Sequence, residues 1–360
     1  MAGTSINQIG LRRYDLDNLR TALTTLVTVH HSAIPYGGLG SWMFHSDGFE
    51  PASSPTLMGM NVFNQSFFMG LFFWVSGRVT AQSLTRNPPS AFLRSKVVRL
   101  GVPALVYSYV VDPVTRAAIS GSLDHLWNIR HGLRGPMWYL GSLLLFDSAA
   151  VLTQKCGMLG KKRDPKSLDR SRMYERLCRY AWIGVGLSSF LIRLWYPIGS
   201  TIPLMNLQPA FVLQYVYAYS LGLLSAMENE DGMYSPLDFN EQSEFPEQSS
   251  NSAQASENLR SPCLAHVTAI SLMSMTILML PPYLSSGGSW FEQAATQFSG
   301  GRNMTAFVYA IWNEFSFAIM APALLSYFRL RHSQPTSSSI VVPRSSYAAF
   351  LLHTLVTVLI

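Results

Sequence analysis

Charged side chains are scarce in this chain of 360 residues, because Asp, Glu, Lys and Arg make up only 13% of it, against about 25% in soluble domains. Hydrophobic residues supply 48% and gather in runs long enough to cross a lipid bilayer. The composition therefore predicts a multi-pass membrane protein. The net charge of +6 does not indicate a nucleic-acid partner, because the basic residues concentrate in alternate connections between the apolar runs.

Three further absences narrow the function. The cysteines Cys156, Cys178 and Cys263 form no CxxC pair and no even framework, so neither a disulfide scaffold nor a metal site of zinc type is expected. Residues 1–15 lack an apolar core followed by a cleavage site, so we interpret the first apolar run as a retained anchor. No Gly-x-Ser-x-Gly sequence is present, which argues against a serine hydrolase.

Nine apolar windows predict an all-α, multi-pass transmembrane helical bundle that forms a single domain over residues 1–360. Basic residues favour the connections on one side, which predicts a cytosolic N-terminus. We expect the membrane to be an endomembrane or the plasma membrane. Residues 228–261 are acidic and polar, as is typical of a disordered cytosolic linker. The last window is shorter than the roughly 20 residues that a span needs, so we expect a final tenth span to be missing. The windows are 16–34, 61–84, 97–115, 135–153, 177–197, 208–227, 262–284, 304–328 and 346–360.

Ionisable residues inside two of these windows are candidate site residues. At about 100° per residue, the step from Arg20 to His31 returns to within roughly 20° of the same helix face. Ionisable groups in a spanning segment are costly and by default mark a functional path. The alternative is that Arg20 reaches lipid phosphates and His31 bonds to a neighbouring helix. Glu314 is a further buried candidate, expected at a depth comparable with that of His31.

A cationic group begins the third window and consists of Arg94, Lys96 and Arg99. On a helix, Lys96 and Arg99 are neighbours at i, i+3, and Arg94 can join them from the preceding turn. Such a group suits a phosphorylated ligand, because arginine can grip a phosphate through two donors. The alternative is ordinary positive-inside charge in contact with lipid headgroups.

Short motifs mark the successive apolar runs in a definite order. They are residues 17–20 followed by His31, residues 72–77, residues 94–99 with Pro103, residues 135–140, Gln214-Tyr215 with Gly222, residues 312–315, and residues 346–347 with His353. In this order, over most of the chain, they resemble the acyltransferase type 3 family of multi-pass membrane proteins. The likeness is greatest to the branch that includes glucans biosynthesis protein C.

The resemblance implies an enzyme that moves an acyl group, usually acetyl, from acyl-CoA to a hydroxyl of a carbohydrate, lipid or other small molecule. Acetyl-CoA would be the co-substrate and would arrive from the cytosol. Carried onto this sequence, the family's Arg-ten-His element falls on Arg20 and His31, and its basic donor-side pair falls on Lys96 and Arg99. Position 96 departs from the family pattern, because Arg is common there and Lys grips phosphate less well.

The resulting hypothesis makes His31 the general base. In a low-dielectric pocket with Arg20 on the same helix face, the imidazole favours its neutral form and can take the proton of an acceptor hydroxyl. Arg94, Lys96 and Arg99 would hold the CoA phosphates. Glu314 would orient His31 or bind the acceptor.

Two other interpretations stay open. A proton-coupled transporter or lipid-moving protein would use the same charges as a relay, although no repeat between the two halves of the chain is evident. The second interpretation is a truncated, inactive member of the family, because the helix expected after His353 is absent.

Overall fold

The computed structural model describes residues 13–42, 46–122, 124, 132–156, 167–228, 264–285, 297–334, 345–354 and 356. These residues form helices, turns and one isolated bridge between Ile202 and Leu207, with no β-strand among them. The all-α prediction is confirmed for this part of the chain. The predicted acidic linker at 228–261 lies outside the described residues after its first position.

Each of the nine predicted windows overlaps one described helix. Two of these helices, Pro89–Ser120 and Met304–Arg331, are long and apolar enough to cross a membrane. In chain order the helices are α1 Tyr14–Ala33, α2 Pro55–Arg86, α3 Pro89–Ser120, α4 Met137–Lys155, α5 Ser167–Arg193, α6 Pro209–Glu228, α7 Leu264–Ser285, α8 Met304–Arg331 and α9 345–354.

Helices α2 and α6 are in backbone contact at two glycines. A Cβ atom on Gly77 of α2 would lie 2.2 Å from the carbonyl oxygen of Tyr219, and one on Gly222 of α6 would lie 2.0 Å from that of Trp74. Small residues permit such close approach between helices. The two glycines therefore hold α6 against α2, whose side chains are buried along most of its length.

A proline in α3 exposes a carbonyl that α9 uses. Pro103 has no N–H, so the carbonyl of Arg99, four residues earlier, loses its helical donor. The backbone widens to a π-helical turn at Val97–Gly101, and the Tyr347 hydroxyl of α9 donates to the Arg99 carbonyl at 2.8 Å. Further along, Tyr107 of α3 contacts Thr354 of α9 through the two hydroxyls. Helices α3 and α9 therefore run in the same direction.

Candidate functional site

Two histidines from opposite ends of the chain meet at the centre of the candidate site. Nδ1 of His31, on the last turns of α1, lies 2.7 Å from Nε2 of His353 on α9. The two rings are nearly parallel, with centroids 4.9 Å apart. Closer to the start of both helices, the Thr21 and Ser346 hydroxyls are 3.0 Å apart. Helices α1 and α9 therefore run side by side in the same direction, which brings the two imidazoles to one level.

The hydrogen bonds assign the protons of this pair. Nδ1 of His353 lies 2.6 Å from the carbonyl oxygen of Phe350, and a carbonyl can only accept, so Nδ1 carries the proton. In a neutral ring the other nitrogen then accepts, so His31 donates from Nδ1 to Nε2 of His353. The lone pair of Nε2 on His31 is therefore left for an external proton. This pattern is the one expected of an imidazole held by a second group for use as a base.

The surroundings of the pair differ on its two sides. His353 and His30 are 3% and 7% exposed, whereas His31 is only half-buried. The Trp42 ring lies 4.8 Å from the His31 ring, centroid to centroid. On the other side, Asn61 of α2 donates to the carbonyl of His30 at 3.0 Å, which fixes the end of α1. His31 is thus the accessible member of a rigid group.

Arg20 and Glu314 do not touch the histidine pair. Nη1 of Arg20 lies 3.8 Å from Oδ1 of Asp17, one turn back on α1, and its side chain is 39% exposed. Glu314 is fully buried, and its Oε1 accepts from Nδ2 of Asn313 at 2.9 Å. Between these two described residues, Glu314 and His31, there is no hydrogen bond. The partner of the His31 imidazole is His353 instead.

Two of the three predicted phosphate-binding residues line a shallow surface depression. It has a volume of about 600 Å³ and is lined by Ser90, Ala91, Arg94, Ser95, Val98 and Arg99. All of these belong to the first turns of α3, so His31 is not part of its lining. Because Tyr347 of α9 is bonded to the Arg99 carbonyl, the depression lies beside the helix that carries His353.

Lys96 lies on the other side of α3, apart from the two arginines. Its Nζ is 2.8 Å from Oδ2 of the fully buried Asp147 on α4. The other carboxylate oxygen of Asp147 accepts from the hydroxyls of Thr80 at 2.6 Å and Tyr219 at 2.7 Å. The ammonium group is thus directed into the bundle, where it neutralises a buried carboxylate. The structure separates Lys96 from Arg94 and Arg99, which the sequence grouped together.

Sequence reasoning gave no role to two residues that the structure makes prominent. His353 carries the contact to His31, and the available signal was its depth in a helix that starts on the same side as α1. Arg193 lies inside the fifth window, and it is fully buried. No local pattern marks that burial, because it depends on aromatic residues from α6 and α8.

Comparison with known proteins identifies a family. The model of a family described as an acyltransferase domain matches residues 13–360. No curated protein and no solved structure gave a match. The match does not distinguish branches, so the likeness to glucans biosynthesis protein C stays a prediction.

Proposed function

Because the chain belongs to the acyltransferase type 3 family, we propose that it is an integral-membrane O-acyltransferase in which His31 is the general base. The reaction moves an acetyl group from acetyl-CoA to a hydroxyl of a small molecule, sugar or lipid. The 2.7 Å contact between Nδ1 of His31 and Nε2 of His353 supports this proposal most directly. It leaves Nε2 of the half-buried His31 as the nitrogen that can take a proton from a hydroxyl.

The chemical step follows from this proton arrangement. Nε2 of His31 accepts the hydroxyl proton while the hydroxyl oxygen attacks the thioester carbonyl carbon. The carbon–sulfur bond then breaks, and the leaving thiolate takes the same proton back from Nε2, which yields CoA and the ester. His353 accepts from Nδ1 throughout and so stabilises the transient imidazolium. His353 is a positioning residue, comparable in role to the third member of a catalytic triad.

Arg94 and Arg99 are proposed to hold the CoA phosphates in the depression at the start of α3. Both guanidinium groups can grip phosphate through two donors. The rise along α9 from Tyr347, beside this depression, to His353, beside His31, is about 9 Å. The pantetheine arm would follow α9 over that distance. Lys96 is left out of this role because its ammonium group is paired with Asp147.

The proposed setting is a lipid bilayer with the N-terminus in the cytosol. The family is typically membrane-bound, and two helices could span a membrane. Helices α1, α3 and α9 start on one side, where the basic residues also concentrate. This orientation puts the donor depression in contact with cytosolic acetyl-CoA, in an endomembrane or plasma membrane.

The test combines label transfer with transport in one preparation. Purified protein in vesicles is given acetyl-labelled acetyl-CoA and an extract of the native host, and the labelled product is identified. We expect label transfer by the wild type and by His266→Ala, a control on an exposed histidine of α7, but not by His31→Ala. Proton-coupled uptake into the vesicles without label transfer would overturn the proposal in favour of a transporter.

A further inference from the structure

The most buried cation of the described chain has no hydrogen-bond partner. Arg193, at the end of α5, is 0% exposed, and its Nε, Nη1 and Nη2 atoms are all unpartnered. Its guanidinium carbon lies 5.2 Å from the ring centroid of Phe211 on α6 and 5.1 Å from that of Tyr309 on α8. The two rings hold the guanidinium in place and leave its five N–H donors unused. A buried charge is costly unless hydrogen bonds satisfy it.

Unpartnered acceptors are found on the same two helices, α6 and α8, that contact Arg193. Oε2 of Glu314, Oδ1 of Asn313 and Oε1 of Gln214 are buried and unpartnered. Gln214 lies one turn beyond Phe211 on α6 and Asn313 lies one turn beyond Tyr309 on α8, and these are the two rings that hold Arg193. The Glu314 carboxylate, next to Asn313, forms no direct salt bridge with the guanidinium. Gln214 is held by its amide nitrogen, which donates to the carbonyl of Ser66 at 2.9 Å. The cluster therefore combines unpartnered donors from α5 with unpartnered acceptors from α6 and α8.

One face of α2 connects this cluster to the histidine pair. Asn61 donates to the carbonyl of His30, next to His31. Gln65, one turn further along α2, donates to the Tyr215 hydroxyl at 3.3 Å, and Tyr215 directly follows Gln214 on α6. Residues four apart on a helix have Cβ atoms about 6 Å apart. Asn61 and Gln65 therefore link the helix that carries His31 to the helix that carries Gln214, along one face of α2.

We propose that Arg193, Glu314, Asn313 and Gln214 form the binding site for the acyl acceptor, and that the acceptor is a neutral molecule with several adjacent hydroxyls. A hydroxyl donates and accepts at once, so a polyol satisfies the guanidinium donors and the carboxylate and amide oxygens together. An anionic ligand would meet the Glu314 carboxylate, and a simple alcohol would leave most of these groups unpaired. The identification of the bound polyol as the acyl acceptor rests on the proposed function, whereas the polyol site itself does not.

The experiment measures binding in the absence of any acyl donor. Purified protein is titrated with a panel of neutral methyl glycosides, sorbitol and inositol, with gluconate and 1-hexanol as anionic and single-hydroxyl probes. Binding is followed by the shift of the thermal unfolding midpoint and by calorimetry. The variants are Arg193→Met and the near-isosteric Glu314→Gln, and the control is Arg78→Met, because Arg78 is another buried arginine but is bonded to Ser225 at 3.1 Å.

We expect at least one neutral polyol to bind wild type and Arg78→Met with equal affinity, and to bind Arg193→Met and Glu314→Gln at least 10-fold more weakly. If Arg193→Met does not fold, Glu314→Gln alone decides. The proposal is overturned if no polyol binds, if both site variants bind like the wild type, or if gluconate or 1-hexanol binds better than the polyols. Polyol binding without acyl transfer would reject the proposed function and keep the site. Acyl transfer by Glu314→Gln with an unchanged KM for the polyol would keep the proposed function and reject the site.

Discussion

At the scale of single residues, the proposed chemistry depends on the position of one proton. The carbonyl of Phe350 fixes the tautomer of His353, and His353 in turn fixes that of His31. Such orientation by a second group matters because a base must present its lone pair to the hydroxyl at hydrogen-bonding distance. A single unoriented imidazole would divide its time between two tautomers and several rotamers.

A prediction at this scale concerns His353. We expect His353→Ala to lower kcat by about 10- to 100-fold, less than the loss of the base itself, which is about 10²- to 10⁴-fold. His353→Gln places an amide oxygen near the former Nε2, so it is expected to recover part of the rate. The measurement is kcat and KM for acetyl transfer by each variant. We expect the KM for acetyl-CoA to stay nearly unchanged in both. A His353→Gln variant no better than His353→Ala would reject the positioning role.

The residue scale also shows what spacing can and cannot predict. The interval from Arg20 to His31 defines one face of one helix, because helix geometry is periodic. It does not define which residue faces His31, since that partner is 322 positions away in sequence. Depth favoured Glu314 as a partner, but α1 and α9 run in parallel and bring His353 to the same level.

At the scale of helices, the Lys96–Asp147 pair attaches α3 to the bundle. We expect Lys96→Met to lower the free energy of unfolding by about 3–5 kcal/mol, because it leaves a buried carboxylate without its cation. The double variant with Asp147→Asn should recover much of this loss. Arg99→Met, on the exposed side of the same helix, is the matched control and should change stability by about 0.5 kcal/mol or less. Denaturant titration in detergent measures all three, and equal stability of Lys96→Met and Arg99→Met would contradict the assignment.

The contact between α2 and α6 gives a second prediction at this scale. In Gly77→Ala the new methyl group would meet the Tyr219 carbonyl at 2.2 Å, so the helices must separate, at a cost of about 1–3 kcal/mol. Gly184→Ala in α5 meets nothing within 4 Å and should gain about 0.5–1 kcal/mol from helix propensity. Thermal unfolding of the two variants distinguishes them. If both shift the midpoint in the same direction, the close packing is not important for stability.

The apolar runs predict where the helices lie along the chain. They do not predict which side of each helix faces which neighbouring helix. Each of the nine windows overlaps a described helix, because a run of apolar residues satisfies both the backbone and the apolar surroundings in that form. Lys96 was grouped with two arginines by its position in sequence. Its actual direction is set by Asp147, about 50 residues later, and no local pattern contains that information.

At the scale of the whole molecule, the proposed orientation has a direct test. Cys156 at the end of α4 is exposed and free, and the proposal puts it in the cytosol. In a Cys178→Ser/Cys263→Ser background, we expect a membrane-impermeant maleimide to label Cys156 only after the cells are permeabilised. Asp47→Cys with Cys156→Ser, in the exposed first connection, should be labelled in intact cells that carry the protein in the plasma membrane. Labelling of Cys156 in intact cells would show that the protein has the opposite orientation.

The central claim is that Nε2 of His31 takes the proton of the acceptor hydroxyl, and chemical rescue tests it most directly. The measurement is the rate of acetyl transfer from acetyl-CoA by purified His31→Ala, with and without added imidazole, relative to wild type and His266→Ala. We predict a loss of about 10²- to 10⁴-fold in His31→Ala alone. Imidazole should restore part of that rate in proportion to its neutral form, so the rescue increases with pH. A His31→Ala protein that acetylates at the wild-type rate would contradict the account.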